Sequence, residues 1–317
     1  MNKLYFLGAF LCVILASGCQ MKEESTTHQS DHPITLQGHR GCRGEMPENT
    51  IPAFLRAIDA GVSTLELDVV LSSDGELIVS HEPWMNMQIV VHPDGSPIGK
   101  EEQFVLNLFE MTTEEIQSYP CGTLRHPKYP DQTRVTTHKP TLSEVVAAVR
   151  DHCKKKNKPV PFFNIEIKST LKGDGVYHPT PEVYAKAFLR KYLTLSISNY
   201  TTIQSFDYRL LNQLHAVLPE AKLVFLSEKK EPLEAQLKKL NFSPYGVSLE
   251  SHLWDASTAH SPAVDGMIKT AWTVNDEAEM FRLIDLGVYD IITDYPTIML
   301  KALNGKGMSV VKNGEQE

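Results

Sequence analysis

The sequence predicts an α/β fold: an eight-stranded βα (TIM-like) barrel with a β-hairpin after the second strand and an inserted subdomain. Eight short apolar runs alternate with segments of helical periodicity, which is the pattern of repeated βα units. The 317 residues are enough for one barrel of about 250 residues. A doubly wound open sheet is the structural alternative, because a sequence does not show whether its sheet closes.

The predicted strands are short apolar runs bounded by turn residues. They cover Ile34–Gly38, Thr64–Val70, Phe162–Ile167, Thr202–Phe206, Lys222–Leu226, Tyr245–Leu249, Met267–Val274 and Tyr289–Thr293. Helical faces between them include Ile51-Phe54-Leu55-Ile58, Leu142-Val145-Val146-Val149 and Met280-Leu283-Ile284. Gly61 and Gly287 stand where two of these helices are predicted to end.

Two interruptions of the βα rhythm follow the second strand. Asp74-Gly75 is a turn signal with another alternating run directly after it, so residues 64–81 are predicted to form a β-hairpin. The insertion at about 83–140 is rich in Pro, Gly and polar residues, with a short helix predicted at Thr112–Ser118. An insertion of this length is usually a lid or a specificity region.

Residues 1–18 are predicted to be a lipoprotein signal peptide. Twelve nearly unbroken apolar residues follow Lys3, which is too short for a membrane span and typical of a secretory signal. Small residues then lead into Cys19, a pattern that resembles the lipobox of bacterial lipoproteins, so Cys19 is predicted to carry lipid. An ordinary cleaved signal with a chance cysteine is the alternative.

The remaining boundaries follow from composition. Residues 19–33 are predicted to be a polar tether, 34–303 the barrel, and 304–317 a polar tail. The expected location is the bacterial cell envelope, with the chain anchored by lipid to the outer membrane and facing the periplasm or the surface. The net charge of −8, without a long basic run, argues against a nucleic-acid partner.

The cysteines outside the signal and the anchor are Cys42, Cys121 and Cys153. Their spacing matches no metal-binding motif. One disulfide among them is possible in an oxidising compartment, but the sequence does not select a pair.

Acidic residues occur at the end of the second predicted strand. Glu66 and Asp68 are two positions apart, so they share a face and can share one hard cation. A turn centred on Ser73-Asp74 sets His81 opposite Glu66, and one centred on Asp74-Gly75 sets it opposite Asp68, so either register places His81 beside the acidic pair. A polar edge strand that faces solvent is the alternative explanation of an isolated Glu-x-Asp pair.

Further polar residues close other predicted strands. His39 and Arg40 follow the first strand, at the end of the barrel where barrel enzymes carry their active sites. Glu166 and Lys168 end the strand after the insertion, where a buried charge needs a partner such as a metal or a phosphate. Three carboxylates, two histidines and two cations suit phosphodiester cleavage with Ca²⁺ or Mg²⁺.

These residues lie in ordered motifs that resemble the glycerophosphodiester phosphodiesterase family. The motifs are His39-Arg40-Gly41, Pro47-Glu48-Asn49-Thr50, Glu66-Leu67-Asp68-Val69, His81-Glu82-Pro83, Lys139–Glu144, Ile165–Lys168, Gln204-Ser205-Phe206, Trp272–Asn275 and Ile291–Pro296. The resemblance extends from about Ile34 to Leu303. The family usually has His-Asp where this chain has His81-Glu82, and both second residues are acidic.

The resemblance implies a barrel enzyme that hydrolyses a small-molecule glycerophosphodiester to sn-glycerol 3-phosphate and an alcohol, with one divalent cation, Ca²⁺ or Mg²⁺. A glycerol hydroxyl would attack first, and water would open the resulting cyclic phosphate. The implied roles are cation ligands (Glu66, Asp68 and Glu166), general acid and base (His39 and His81), phosphate ligands (Arg40 and Lys168), supports beside the phosphate (Glu48 and Asn49) and an apolar wall (Phe206 and Trp272).

Alternatives remain open for the function and for some residues. The same site suits a phospholipase that resembles the phosphatidylinositol-specific or sphingomyelinase D types, or a hydrolase of teichoic-acid-type polymers. A non-catalytic, lipid-anchored binding protein is disfavoured because no catalytic histidine or carboxylate is missing. Asn49 is equally suited to cap a helix that starts at Ile51, and an aromatic such as Phe206 is more often a core residue.

Overall fold

The computed structural model describes residues 32–311, which form a closed barrel of eight parallel strands. The barrel strands are β1 (Thr35–Gly38), β2 (Thr64–Leu71), β4 (Phe162–Ile167), β5 (Thr201–Ser205), β6 (Lys222–Ser227), β7 (Gly246–Glu250), β8 (Ile268–Trp272) and β9 (Asp290–Thr293), with β3 (Leu77–Val79) antiparallel to β2. The sheet order is β1-β9-β8-β7-β6-β5-β4-β2, and pairing of β1 with β2 closes the barrel. The predicted barrel is therefore confirmed.

A helix follows every barrel strand; after β2, the short α2 lies within the insertion and α3 follows the insertion. The helices are α1 (Ile51–Ala60), α2 (Thr113–Gln117), α3 (Leu142–Lys156), α4 (Pro181–Thr194), α5 (Tyr208–Val217), α6 (Leu233–Leu237), α7 (Ala256–Ala259), α8 (Glu277–Asp285) and α9 (Pro296–Gly305). Within residues 32–311, none of them has the length and apolar character that crossing a membrane requires. The predicted lipid attachment at Cys19 lies outside these residues.

The helix boundaries have local causes. The Thr141 hydroxyl and the Glu144 carboxylate form a capping box at the start of α3, and Thr112 with Glu115 does the same for α2 in the insertion. Gly61 ends α1 with a φ of 106°, a left-handed conformation that favours glycine. These caps place the helices where the sequence periodicity predicts them.

Two hydrophobic clusters hold the structure together. The larger one lies between the strands and the helices, and it includes Phe54 of α1, Val145 of α3 and Leu283 of α8, which confirms the three predicted helical faces. The smaller one lies under the insertion and includes Met85 and Ile116. The insertion therefore has its own small core, packed against the hairpin through Val70 and Ile78.

The hairpin is present, but both predicted registers are wrong. Val69 pairs with Val79, and β3 ends there, so His81 lies beyond the paired strand. The cause is a three-residue turn in which the Ser72 N–H donates to the Glu76 carbonyl at 3.0 Å and the Ser72 hydroxyl accepts from the Glu76 N–H at 2.9 Å. That odd loop length shifts the pairing by one residue from either prediction.

The three cysteines outside the predicted signal and anchor are all buried, and none forms a disulfide. Cys42, Cys121 and Cys153 are free thiols in the part of the chain that the structure describes. Burial raises the pKa of the Cys121 thiol to about 11. These cysteines are packing residues, since a thiol that keeps its proton is a poor nucleophile.

A part-buried carboxylate, Asp290, lies inside the barrel at the N-terminal end of β9. Gln37 Nε2 donates to the two Asp290 carboxylate oxygens at 2.7 and 2.9 Å, and the Thr270 hydroxyl donates to one of them at 2.8 Å. Burial outweighs these hydrogen bonds and raises the pKa of Asp290 from 3.8 to about 6. Between pH 3.8 and about 6, the folded chain therefore keeps a proton on Asp290 that the unfolded chain has lost.

Asp290→Asn is expected to stabilise the protein most at alkaline pH. Because the folded pKa is raised, the wild-type fold loses stability as the pH rises towards and through about 6. Removing the charge restores about 3 kcal/mol at pH 8 and about half of that at pH 5. Thermal unfolding of both proteins at the two pH values measures the difference. A variant that is less stable than wild type at pH 8 would contradict this account of Asp290.

Candidate active site

A cavity of about 750 Å³ opens at the C-terminal ends of the barrel strands. Eight of the eleven predicted site residues with described positions line it, namely His39, Arg40, Glu66, His81, Glu166, Lys168, Phe206 and Trp272. The other three, Glu48, Asn49 and Asp68, are buried behind the lining. The barrel thus brings residues of five barrel strands and the loops after them, together with His81 from beyond β3, to one place.

Three carboxylates converge beside this cavity. Each of Glu66, Asp68 and Glu166 offers an oxygen within 4.8 Å of the oxygens of the other two. All three side chains are buried. Glu66 and Asp68 alternate on β2, and β4 pairs in parallel with β2 so that Asp68 lies beside Glu166. Two neighbouring strands therefore build the cluster.

The charges around the cluster are unbalanced. Burial, with the nearby Asp68 carboxylate, raises the pKa of Glu66 well above its ordinary value. Burial would also raise the pKa of Asp68, but the charges of Lys168, His81 and Arg40 together lower it. Three buried oxygen ligands that repel one another are the donor set of a hard divalent cation such as Ca²⁺ or Mg²⁺. The residues present therefore fit a cation of this class.

Lys168 is the cation closest to this cluster. Its ammonium Nζ lies 2.7 Å from Glu166 Oε1 and 3.4 Å from Asp68 Oδ1. Attraction to these carboxylates outweighs burial and raises the pKa of Lys168. Lys168 is therefore charged and lines the cavity, where it can meet an anion.

Arg40 connects the carboxylates to the first strand. Its backbone N–H donates to Glu66 Oε2 at 2.9 Å, and its guanidinium donates to Glu48 Oε1 at 2.7 Å. Its Nε lies 3.5 Å from Asp68 Oδ2. Arg40 has a φ of 50°, and the next residue, Gly41, has 89°. A Cβ on Gly41 would lie 2.8 Å from Ala53, so this tight turn requires glycine.

Asn49 orients a carboxylate and does not cap a helix. Its amide Nδ2 donates to Asp68 Oδ2 at 2.8 Å, and its Oδ1 accepts from the Asp68 backbone N–H at 3.3 Å. The residue that caps α1 is Thr50, whose hydroxyl accepts from the Ala53 N–H. Glu48 accepts from Arg40 and also lies 2.6 Å from Arg43 Nε. Both residues support the lining from behind.

His39 is held by a carboxylate that the sequence analysis gave no role. Its Nδ1 lies 2.6 Å from Asp294 Oδ1, which leaves Nε2 for a ligand in the cavity. Asp294 Oδ2 accepts at 2.7 Å from both the Tyr129 hydroxyl and the Asn275 amide. Burial lowers the pKa of His39 more than Asp294 raises it, so the imidazole is neutral near pH 7.

His81 has the same arrangement with a different carboxylate. Its Nδ1 lies 2.9 Å from Glu82 Oε1. The Glu82 carbonyl accepts from the Ser80 hydroxyl at 2.6 Å, and that hydroxyl accepts from Lys139 Nζ at 2.8 Å. Burial would raise the pKa of Glu82, but His81, Lys139 and Arg40 lower it, so Glu82 is ionised. Glutamate at this position therefore orients the histidine.

An aromatic pair forms another part of the lining. Phe206 and Trp272 contact edge to face, with ring centroids 5.5 Å apart and planes at 86°. The Trp272 indole N–H donates to the Ser248 carbonyl at 3.1 Å. Phe206 is 37% exposed, so it belongs to the cavity surface and not to the core.

The chain matches a family model for nearly its whole described length. The model is that of the glycerophosphoryl diester phosphodiesterase family, and it matches residues 39–298. A glycerophosphodiester phosphodiesterase of Bacillus subtilis is 27% identical over 95% of this chain and 97% of its own. One of Caldanaerobacter subterraneus is 30% identical over 85% of this chain and 97% of its own.

Solved structures share the fold. A structure from Silicibacter pomeroyi superposes with a TM-score of 0.78 at 25% identity, covering 90% of this chain and 98% of that one. An Oleispira antarctica phosphodiesterase, solved with the product sn-glycerol-3-phosphate, has a TM-score of 0.67 at 21% identity, covering 85% and 96%. The chain therefore belongs to the glycerophosphoryl diester phosphodiesterase family and is a phosphodiester-hydrolysing enzyme of that family.

Proposed function

We propose that the chain hydrolyses glycerophosphodiesters to sn-glycerol 3-phosphate and an alcohol, with a divalent cation and histidine acid–base catalysis. The observation that carries this proposal is the convergence of three carboxylates within 4.8 Å, beside a cavity that two carboxylate-paired histidines line. The named relatives from Bacillus subtilis and Caldanaerobacter subterraneus support the substrate class.

The phosphate would lie against the wall of the cavity where the carboxylate cluster and the basic residues of the lining meet. Glu66, Asp68 and Glu166 would hold the cation, which supplies charge stabilisation at the non-bridging phosphate oxygens when bound. Arg40 and Lys168 bring positive charge to the same wall of the cavity. Both are held by buried carboxylates, so neither has to be ordered when the substrate binds.

The two histidines move the protons. His39 accepts or donates a proton at Nε2, because its Nδ1 is held by Asp294, and that carboxylate stabilises the imidazolium that forms. Glu82 holds His81 in the same way. One histidine can therefore remove the proton of the attacking group while the other protonates the leaving alcohol.

A second candidate substrate is a diester that still carries an acyl chain. Relatives of rat and mouse, 25% and 26% identical over 94% of this chain, are named lysophospholipase D. The cavity also has an aromatic wall and a volume of about 750 Å³. A polymer of glycerol phosphate units is the third substrate that the same chemistry allows.

A substrate panel tests the proposed function. Residues 32–311 contain the closed barrel and its core, so a chain that starts at Gln20 keeps the folded unit. We expect it to release glycerol 3-phosphate from glycerophosphocholine and glycerophosphoethanolamine, measured by coupled oxidation of the product. Hydrolysis of lysophosphatidylcholine alone would establish the lipid substrate. No hydrolysis of either class or of the polymer, with Ca²⁺ or Mg²⁺ present, would contradict the proposal.

We also propose that Cys19 anchors the enzyme to the bacterial envelope, on the strength of the sequence pattern around it. The full chain, expressed with an alkyne-labelled fatty acid in a Gram-negative host, is expected to incorporate the label. Cys19→Ala should remove it, because the acceptor thiol is lost. Cys12→Ala, a cysteine within the same signal segment, is the matched control and should keep it. Labelling that survives in Cys19→Ala would contradict the anchor.

A further inference from the structure

Exposed apolar side chains are concentrated around the mouth of the active-site cavity. Among residues 32–311, thirteen large apolar side chains are exposed. Seven of them line the cavity, lie within three residues of a lining residue, or belong to the Phe104-Val105 pair, of which Phe104 contacts Trp84 of the lining. We name these seven the apolar rim: Met87, Phe104, Val105, Leu171, Val176, Phe206 and Tyr208. We propose that the apolar rim docks on a lipid bilayer and thereby places the cavity mouth against diester headgroups at the membrane surface.

The rim is continuous across two segments of the chain. The Trp84 ring contacts Phe104 of the insertion, with centroids 5.1 Å apart, and Tyr177 of the loop after β4, with centroids 5.3 Å apart. The Asn107 amide donates to the Val176 carbonyl at 2.7 Å. Trp84 and Tyr177 also line the cavity, so the rim passes directly into the cavity wall.

Two rim side chains, Val105 and Leu171, have the most apolar surface to remove from water. Val105 is 76% exposed and Leu171 is 74% exposed, the two highest values among the exposed large apolar residues. Single exposed apolar residues are ordinary on protein surfaces, but a cluster around a ligand site marks an interaction surface. Aliphatic and aromatic side chains of this kind are those that enter the boundary of a bilayer.

A bilayer fits this position better than a protein partner does. A protein seated on the rim would cover the mouth through which the substrate enters, whereas a bilayer can present the substrate there. The predicted anchor at Cys19 is thirteen residues from the first described residue, His32, so an extended tether spans at most about 45 Å. That reach keeps the domain at the membrane without fixing which face meets it.

Apolar contact, and not charge, would supply the attraction between the apolar rim and the bilayer. The cavity lining carries Lys172, Lys229 and Lys239, but Glu228 also lines it, and Lys239 is paired with Glu231 at 3.2 Å. Glu101 precedes the exposed pair in the insertion. The whole chain has a net charge of −8. Binding to neutral bilayers that resists added salt is therefore expected. The inference rests on the proposed function only for the identity of the headgroups at the mouth.

Vesicle sedimentation tests the inference with matched variants. The chain from Gln20, which lacks Cys19, is mixed with sucrose-loaded phosphatidylcholine vesicles at low salt and at 0.5 M salt, where the Debye length is about 4 Å. The rim variant is Val105→Ser with Leu171→Ser. The control is Leu193→Ser with Ile268→Ser, two exposed aliphatic residues at the opposite end of the barrel, where α4 ends and β8 begins.

Wild type and control are expected to bind vesicles, and the rim variant at least tenfold more weakly at either salt concentration. If the rim variant hydrolyses soluble glycerophosphocholine as fast as wild type, the rim variant is folded. If none of the three proteins hydrolyses it, that result counts against the proposed function and not against the docking surface. No binding by wild type, or equal binding by the rim variant, would overturn the docking surface. A concentration-dependent dimer that the rim variant loses, without vesicle binding, would assign the rim to a second copy.

Discussion

His39→Ala is expected to lower kcat for glycerophosphocholine hydrolysis by about 10²–10⁴-fold, the range for losing a general acid or base. The imidazole is held at Nδ1 by Asp294, its pKa is lowered by burial, and it lines the cavity, so alanine removes the group that we propose to exchange the proton. KM should change much less, because Arg40 and Lys168 remain. Steady-state kinetics at pH 7 with saturating cation measures both.

A second histidine–aspartate pair provides the control for His39. His152 Nε2 lies 2.9 Å from Asp59 Oδ1 and does not line the cavity. His152→Ala removes an ion pair of the same kind, and kcat should stay within about twofold of wild type. A kcat for His39→Ala within threefold of wild type, with an unchanged Tm, would show that His39 exchanges no proton.

Glu66→Gln is expected to lower kcat/KM by about 10³-fold, since a bound cation contributes several kcal/mol of charge stabilisation. The same change should raise the Tm of the metal-free protein, because burial and the neighbouring carboxylates raise the pKa of Glu66 and make its charge unfavourable. The rise in Tm that Ca²⁺ or Mg²⁺ gives to wild type should disappear. Thermal unfolding with and without each cation measures these effects without any assay of activity.

Glu250→Gln is the matched control for this cluster. Glu250 also ends a barrel strand, β7, but it does not line the cavity. Its replacement should leave both the activity and the effect of cations on Tm unchanged. A Glu66→Gln protein that is still stabilised by cations as strongly as wild type would show that the three carboxylates do not bind the ion.

The sequence predicts most of the fold because the signals are local. Glu66 and Asp68 share a face by strand alternation, and the glycine after α1 ends that helix. Both predicted hairpin registers are wrong, because residue patterns do not show how many residues the turn contains. The Ser72 hydroxyl accepts from the Glu76 N–H and closes a three-residue turn, so the pairing shifts by one residue and His81 falls outside β3.

The residues that orient His39 depend on contacts distant in the chain. Asp294 and Asn275 lie in motifs that the sequence analysis identified, but only the closed barrel shows that they meet at His39. Tyr129 comes from the insertion, where no pattern marked it. Asn49 and Thr50 are both plausible helix caps by residue type, and only the contact with Asp68 separates their roles.

Metal removal tests the central claim most directly. Glycerol 3-phosphate release from glycerophosphocholine is measured for the chain from Gln20, first after EDTA treatment and dialysis and then after adding Ca²⁺ or Mg²⁺. The account predicts that release stops in EDTA, returns with at least one of the two ions, and does not return in Glu66→Gln. Full release by the EDTA-treated wild-type protein before any ion is added would contradict it.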